Sequence, residues 1–142
     1  MTTLLALILF LIFILIALIH FYWGFGGQLG SESVFPTKDE TTKAEMPGPI
    51  PTFIVALGLA TIAIFILIKS HIIHFPIPSW LATYGLWILA GIFIIRAVGD
   101  FNYIGFFKKI KNTKFGRNDT TYYSPLCLLI GTLLITLEII SK

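Results

Sequence analysis

Among the polar and aromatic residues of this sequence, five are candidates for one site that binds a polar ligand or moves a proton: His20, Trp23, Arg96, Asp100 and Tyr103. An imidazole and a carboxylate can exchange protons with a substrate, so His20 and Asp100 are the candidates for acid/base chemistry. The guanidinium of Arg96 offers a planar fork of donors to an anionic group. The two aromatic rings would supply apolar contact. We therefore predict that these five residues form one ligand-binding site, if the fold brings them together.

The composition indicates that these residues belong to a membrane protein. The chain has 142 residues, of which 56% are apolar and 12% are charged, and its mean hydropathy is +0.90. A soluble domain carries roughly 25% charged residues, so this chain has too few to cover a water-soluble globule. The single cysteine argues against an internal disulfide scaffold. The same counts argue against a disordered chain.

Four apolar segments predict four membrane-spanning helices, at about residues 4–23, 51–68, 78–95 and 125–140. About 20 residues at a rise of 1.5 Å span a hydrocarbon core of roughly 30 Å. The first segment follows an uncharged start and ends in bulky aromatic residues, which favours an uncleaved helix over a signal peptide. The sequence thus predicts an all-α, integral membrane four-helix bundle with one transmembrane domain over residues 1–142. A basic amphipathic segment is predicted between the third and fourth helices.

The distribution of basic residues predicts the orientation in the membrane. The connections at residues 24–50 and 96–124 carry eight Lys and Arg residues, whereas the other side carries only Lys69 and Lys142. Basic residues mark the cytoplasmic side, so both connections are predicted to face the cytoplasm and both termini to face out. Six of the eight basic residues lie in the second of these connections, so the prediction rests mainly on that segment. This topology places the five candidate residues at the cytoplasmic boundary.

The segment from Phe101 to Arg117 is both basic and aromatic. Three apolar residues, Ile104, Phe107 and Ile110, recur at the i, i+3 spacing that keeps one face of a helix apolar. A basic amphipathic segment lies in the membrane interface, where its cations bind anionic lipid headgroups. A site for a phosphorylated or otherwise anionic ligand is the alternative. No nucleic-acid binding is expected, because the cluster is short and anchored at the membrane. The predicted headgroup ligands are Lys108, Lys109, Lys111 and Lys114.

Each candidate residue also has a structural interpretation. His20 beside Trp23 is typical of an interfacial aromatic belt. Arg96 lies where a basic residue ordinarily flanks the cytoplasmic end of a membrane-spanning helix. Asp100 lies four residues further on, where it would pair with Arg96 if the third helix continued past Gly99.

The polar residues near the other ends of the helices predict an ion pair and no metal site. Glu138 is predicted to pair with Lys69 or Lys142. His71 and His74 are three residues apart, but two histidines without a cysteine and with only a distant carboxylate are a weak metal signal. We therefore predict no metal and no cofactor.

Four stretches of the chain resemble a family of small bacterial four-helix membrane proteins known only as a domain of unknown function. The resemblance covers nearly the whole chain and implies a four-helix protein of the bacterial inner membrane, but it implies no activity. Its motifs include most of the candidate residues, which supports a site there. The stretches are His20-Phe-Tyr-Trp23 with Gly26-Gly27, Arg96-Ala-Val-Gly99-Asp100-Phe101, Gly105-Phe-Phe-Lys108, and Asp119 to Cys127.

Two functions agree with these residues. The first is binding of a lipid-like or small amphipathic ligand, or of a membrane-protein partner, at a polar site on the cytoplasmic boundary. The second is an intramembrane enzyme, in which His20 and Asp100 do acid/base chemistry on an apolar substrate while Arg96 stabilises negative charge. A channel is disfavoured because the helix centres contain almost no polar residues. The sequence does not predict the oligomeric state.

Overall fold

The computed structural model describes residues 1–43, 45 and 47–141 (the side chains of residues 31 and 32 excepted), and this part of the chain is all-helical without a strand. Six α-helices and one π-helical turn follow one another along it. They are α1 (Thr2–Gly24), α2 (Ser31–Val34), α3 (Pro49–Lys69), α4 (Ser79–Val98), α5 (Lys114–Asn118), the π-helical turn Asp119–Tyr123, and α6 (Ser124–Ile140).

Four helical stretches are long and apolar enough to cross a membrane: α1, α3, α4 and the continuous stretch Lys114–Ile140. This confirms the prediction of an all-α protein with four apolar helices, as expected of a multi-pass membrane protein. The first three predicted helices agree with the structure to within three residues at each end. The first turn of α3 contains two prolines, where a missing N–H removes no helical hydrogen bond.

The fourth long helix begins earlier than the sequence predicts. The sequence places its start at about residue 125, but Ser124 is itself helical, with φ −67° and ψ −44°. The helix extends back through the π-helical turn to Lys114. Its cap is Thr113, whose hydroxyl accepts a hydrogen bond from the N–H of Gly116 at 3.0 Å. Hydropathy missed this extension because its residues are polar.

The basic segment after α4 is not helical over residues 101–113, although the spacing of its apolar residues in the sequence is helical. Residues 101–113 form turns and bends, so the helical spacing of their apolar residues builds no helical face. Gly99 and Gly105 explain the difference, because their φ angles of 95° and 89° lie in a region that other residues rarely adopt. A Cβ added at Gly99 would also overlap the backbone of Ile104.

The chain forms two compact units, and the first contains residues 1–27, 47–89 and those from 133 onward. Its core is the packing of α1 against α3. The inward residues of α1 recur at helical spacing and include two alanines, which let the helix backbones approach. They are Ala6, Leu9, Phe13 and Ala17, all at most 2% exposed.

An ion pair lies within the first unit. Lys69 Nζ is 3.2 Å from Glu138 Oε2, which confirms one of the two predicted pairings of Glu138. The Glu138 side chain is fully buried, whereas that of Lys69 keeps 15% exposure. The other predicted partner, Lys142, lies outside the described residues.

The second unit contains residues 28–46 and 90–132. It includes the connection after α4, the helix α5, the π-helical turn and the first half of α6. The connection folds back on the end of α4, since the N–H of Phe106 donates to the carbonyl of Ala97 at 2.9 Å. The Tyr123 hydroxyl donates to the carbonyl of Ser33 at 3.1 Å, which ties α2 to the π-helical turn.

Candidate functional site

A fully buried carboxylate, that of Asp119, lies at the centre of the second unit. Asp119 opens the π-helical turn, in which the backbone is wider than in an α-helix and an extra residue is accommodated. Such turns occur frequently at functional sites. A carboxylate without exposure is costly unless cations and hydrogen-bond donors surround it, so its partners decide what the site is.

Four donors bind the Asp119 carboxylate. Arg96 Nη2 donates to Oδ1 at 3.1 Å. Oδ2 accepts from the backbone N–H of Gly105 at 2.7 Å, from Lys108 Nζ at 2.9 Å and from the Ser124 hydroxyl at 3.1 Å. We call these five residues the Asp119 network. It joins the end of α4, the connection after it and the start of α6, so one carboxylate fixes three parts of the unit.

Lys108 is the second buried charge of the Asp119 network. Its side chain has no exposure, and its ammonium donates to Asp119, to the Gly105 carbonyl at 2.9 Å and to the Thr120 hydroxyl at 2.6 Å. An ammonium has three N–H donors, so these three bonds use all of them. The sequence grouped Lys108 with the headgroup-binding lysines, but the structure places its charge inside the protein, where it supports the fold.

Arg96 leaves the Asp119 network with a surplus of positive charge. Two cations, Arg96 and Lys108, surround the one carboxylate, which gives a formal charge of +1. The Arg96 side chain is 32% exposed, and its buried Nη1 has no hydrogen-bond partner within the described residues. An anionic group beside the exposed part of this guanidinium would therefore meet an uncompensated positive charge.

Asp100 stabilises the turn that follows α4. The pairing with Arg96 was expected only if the helix continued past Gly99, and α4 ends at Val98. Asp100 Oδ1 accepts from the backbone N–H groups of Asn102, Tyr103 and Ile104 at 2.8–2.9 Å. These bonds, that of Ile104 first, lower the pKa of the exposed carboxyl. A carboxylate held in its ionised form by three backbone donors is a weak base, so the geometry favours its structural role.

Lysines and aromatic rings are exposed together on the same connection. Phe101 and Phe107 are 57% and 65% exposed, with their ring centroids 6.5 Å apart. Lys109 and Lys111 are exposed on this connection as well, and Lys114 is exposed at the first residue of α5. We call these five residues the Phe–Lys surface. Exposed rings beside ammonium groups are typical of a segment that lies in the interface of a membrane.

The remaining candidates lie in different units. His20 and Trp23 belong to the first unit, whereas Arg96, Asp100 and Tyr103 belong to the second. His20 Nδ1 donates to the carbonyl of Ile16 at 2.8 Å, and its ring meets Trp23 edge-on with centroids 5.2 Å apart. The N–H of Tyr103 is bound to Asp100. A single site shared by all five residues stays a prediction.

No group of three or more His, Cys, Asp or Glu side chains within the described residues could hold a metal ion. The Asp119 carboxylate is not suited to a metal ion either, because the groups around it are two cations, which would repel the ion, and an N–H and an O–H that donate to the carboxylate. The arrangement is suited to an anion.

One family model matches the chain. It is described as a protein of unknown function (DUF3995), and it matches residues 13–134, a range that contains the whole Asp119 network and the Phe–Lys surface. The chain belongs to the DUF3995 family. This confirms the resemblance that the sequence motifs indicated. No curated protein and no solved structure matches the chain.

In this DUF3995 protein, sequence reasoning missed the central residue of the site. Asp119, Ser124 and Gly105 stood in the family-like motifs without an assigned role, while Lys108 was assigned to the surface. The signal that could have found the network is the isolated acid itself, since Asp119 is the only Asp or Glu in the stretch from 101 to 137. An acid among six basic residues at the end of an apolar helix needs a partner.

Proposed function

We propose that this DUF3995 protein is a multi-pass membrane protein that binds the acidic headgroups of lipids at the connection after α4. The observation that carries this proposal is the Phe–Lys surface, in which Phe101, Phe107 and three lysines are all exposed within one short stretch of the chain. In such a site the rings enter the apolar part of the interface while the ammonium groups meet phosphate oxygens.

The charge of the stretch from the end of α4 to the start of α6 supports the choice of an anionic lipid. Residues 96–124 carry six Lys and Arg against two Asp, which gives a formal charge of +4. Each Lys or Arg near a negatively charged leaflet contributes about 1 kcal/mol to the attraction. Arg96 adds a guanidinium next to the Phe–Lys surface in sequence, and its side chain keeps 32% exposure although Nη1 itself is buried.

The Asp119 network supplies the rigid support for this surface. The buried Lys108 lies between the exposed Phe107 and Lys109, so anchoring Lys108 to Asp119 fixes the backbone of its neighbours. A preorganised surface binds with a smaller loss of conformational entropy than a flexible segment does. Within this group of lysines, the buried Lys108 therefore supports the fold, while the exposed Lys109, Lys111 and Lys114 contact the lipid.

The orientation belongs to the same proposal. The connections at residues 24–50 and 96–124 face the cytoplasm and both termini face out, because the basic residues are concentrated in these connections. A single-cysteine variant tests this arrangement: Asn112→Cys in a Cys127→Ser background should react with an impermeant maleimide only after the membrane is opened. Labelling in intact cells would show that the orientation is opposite to the proposed one.

Lipid retention tests the proposed binding site. The purified protein is incubated with phosphatidylglycerol or phosphatidylcholine, and bound lipid is counted by native mass spectrometry. The double variant Lys109→Gln/Lys111→Gln should weaken phosphatidylglycerol binding by about tenfold or more, since each Lys contributes on the order of 1 kcal/mol.

The matched control is Lys38→Gln/Lys43→Gln, which removes two exposed lysines from the other basic connection. It should leave most of the phosphatidylglycerol binding intact. Equal losses in the two double variants would show that only net charge matters and would contradict a site at the Phe–Lys surface. Equal binding of the two lipids by the unmodified protein would contradict headgroup recognition altogether.

A further inference from the structure

A second polar region lies in the first unit, where the connection between α3 and α4 encloses a cleft of about 500 Å³. Its polar lining comes from Lys69, His71, His74 and Ser141. None of these residues belongs to the Asp119 network or to the Phe–Lys surface. The cleft is therefore independent of the lipid-binding proposal.

The ammonium of Lys69 is held in the wall of the cleft by two protein groups. It is bonded to the carbonyl of Ala82, and Glu138 Oε2 lies 3.2 Å away. An ammonium has three N–H donors, so these contacts leave one for a ligand. Because Glu138 is fully buried and Lys69 retains 15% exposure, the cation is the member of the pair that a ligand can reach.

His71 is fixed in an uncommon backbone conformation at the cleft. Its φ of 57° is one of two positive values at residues other than glycine in the described chain, and its N–H donates to the carbonyl of Ile68 at 3.0 Å. The left-handed conformation ends α3 and turns the chain into the connection. Residues other than glycine rarely adopt such angles, and those that do concentrate at functional sites, where the surrounding structure maintains the strained backbone.

The rest of the cleft is apolar. Its lining includes Ile73, Phe75 and Ile77 from the connection and Ala82 from α4. A few polar donors among apolar side chains are what a small-molecule site usually presents. The donors are an ammonium and two imidazoles, each of which carries at least one N–H even when neutral.

We infer that this cleft binds a small amphiphile by its single acidic headgroup, a phosphate or a carboxylate. The headgroup accepts hydrogen bonds from Lys69 and from the imidazoles of His71 and His74, while the alkyl part contacts the apolar lining. The Lys69–Glu138 pair keeps the ammonium in position before the ligand arrives, so little side-chain entropy is lost on binding.

The histidines provide the direct test, because the chain has three and one of them, His20, does not line the cleft. The protein is placed in phosphatidylcholine nanodiscs, and decyl phosphate is titrated while the imidazole Cε1–H signals are followed by NMR. The signals of His71 and His74 should shift and saturate, while that of His20 should not move. Uniform shifts of all three signals, or none at His71 and His74, would overturn the inference.

Inorganic phosphate distinguishes a free anion from an amphiphile. It shares the headgroup chemistry of decyl phosphate but has no alkyl part to contact Ile73 or Phe75. It should bind at least about tenfold more weakly, because each buried CH₂ of the longer ligand adds to the affinity. Equal affinities would overturn the assignment to an amphiphile.

A variant pair checks the donors by calorimetry in the same nanodiscs, with empty nanodiscs titrated in parallel. His71→Asn/His74→Ala removes both imidazoles, and asparagine tolerates the left-handed backbone at position 71. Decyl phosphate affinity should fall by about tenfold, a typical effect of losing hydrogen bonds to a charged group. The control Lys38→Gln, which changes an exposed residue outside the cleft, should not alter it. Unchanged affinity in the double variant would overturn the role of the histidines.

Discussion

Two buried carboxylates of this chain have different surroundings. Asp119 in the second unit accepts from four donors, and its closest cation, Lys108, is as buried as the carboxylate itself. Glu138 in the first unit pairs with Lys69, which lines a cleft and keeps 15% exposure. A cation whose donors are all used within the protein supports the fold, whereas a cation at the edge of a cleft can meet a ligand.

The largest effect is expected from removing the charge of Asp119. Asp119→Asn leaves Lys108 buried without a carboxylate and should lower the free energy of unfolding by about 3–5 kcal/mol. Thermal unfolding in detergent measures this loss. The control is Glu40→Gln, which breaks the pair of Glu40 with Arg117, two side chains about 60% exposed. Exposed pairs contribute about 0–1 kcal/mol, so similar losses in both variants would contradict the buried network.

The second largest loss of stability is expected from a substitution of Gly105, in the connection after α4. A Cβ in Gly105→Ala would overlap the carbonyl of Val98 and add to the strain of a positive φ. Gly30→Ala is the matched control, because Gly30 also has a positive φ (77°) but nothing within 4 Å of the added Cβ. The control should cost about 1–2 kcal/mol, the strain alone. Gly105→Ala should cost clearly more by the same unfolding assay, and an equal cost would mean that the connection is loosely packed.

The Lys69–Glu138 pair should show a smaller effect than Asp119 does, since Lys69 reaches solvent. Glu138→Gln should cost about 1–3 kcal/mol in unfolding free energy, whereas Lys69→Met should cost more, because it leaves the buried carboxylate of Glu138 without its cation. The double variant should cost less than the sum of the two, which reports the coupling between the charges. Strict additivity in this double-mutant cycle would show that the two residues do not interact.

The smallest effect is the pH dependence of the turn at Asp100. Because three backbone N–H groups lower the pKa of this carboxyl in the folded protein, its contribution is fully present above the unfolded value of about 3.9 and is lost as pH falls through the lowered value. The amide NMR signals of Tyr103 and Ile104 should therefore move below about pH 4. The same transition in Asp100→Asn would show that another group is responsible.

A second exposed aspartate offers an internal comparison for the same titration. Hydrogen bonds to Asp39, first from the Thr42 hydroxyl and then from that of Thr41, lower its pKa to about 2. The amides of Thr41 and Thr42 should therefore respond only near pH 2. A response at the same pH as an unperturbed carboxylate would contradict these hydrogen bonds.

The long helices were predictable because hydropathy records them directly. A segment of about twenty apolar residues that spans a membrane has few alternatives to a helix, because its backbone polar groups must bond to one another. The Lys69–Glu138 pair was predictable because isolated charges near the ends of such helices need a partner. The connection after α4 was not predictable in the same way. Its i, i+3 spacing suggested a helix, but Gly99 and Gly105 adopt positive φ angles and the Asp100 carboxylate captures N–H groups that a helix would need.

The Asp119 network was hidden for a related reason. Lys108 and Lys109 are adjacent and identical in the sequence, yet one is buried and the other exposed. What separates them is a contact with a carboxylate eleven residues away, which neither periodicity nor composition records. The helical stretch that precedes α6 was missed likewise, because the π-helical turn that carries Asp119 is polar.

The reactivity of individual lysines tests most directly the division between support and lipid contact. The protein is treated in nanodiscs with an amine-acylating ester, and modification at each lysine is followed by peptide mass spectrometry. Lys108 should react far more slowly than Lys109 and Lys111 in phosphatidylcholine. Replacing the lipid by phosphatidylglycerol should slow Lys109 and Lys111 but leave Lys108 and Lys38 unchanged. Fast modification of Lys108, or no lipid-dependent protection of its neighbours, would contradict the account.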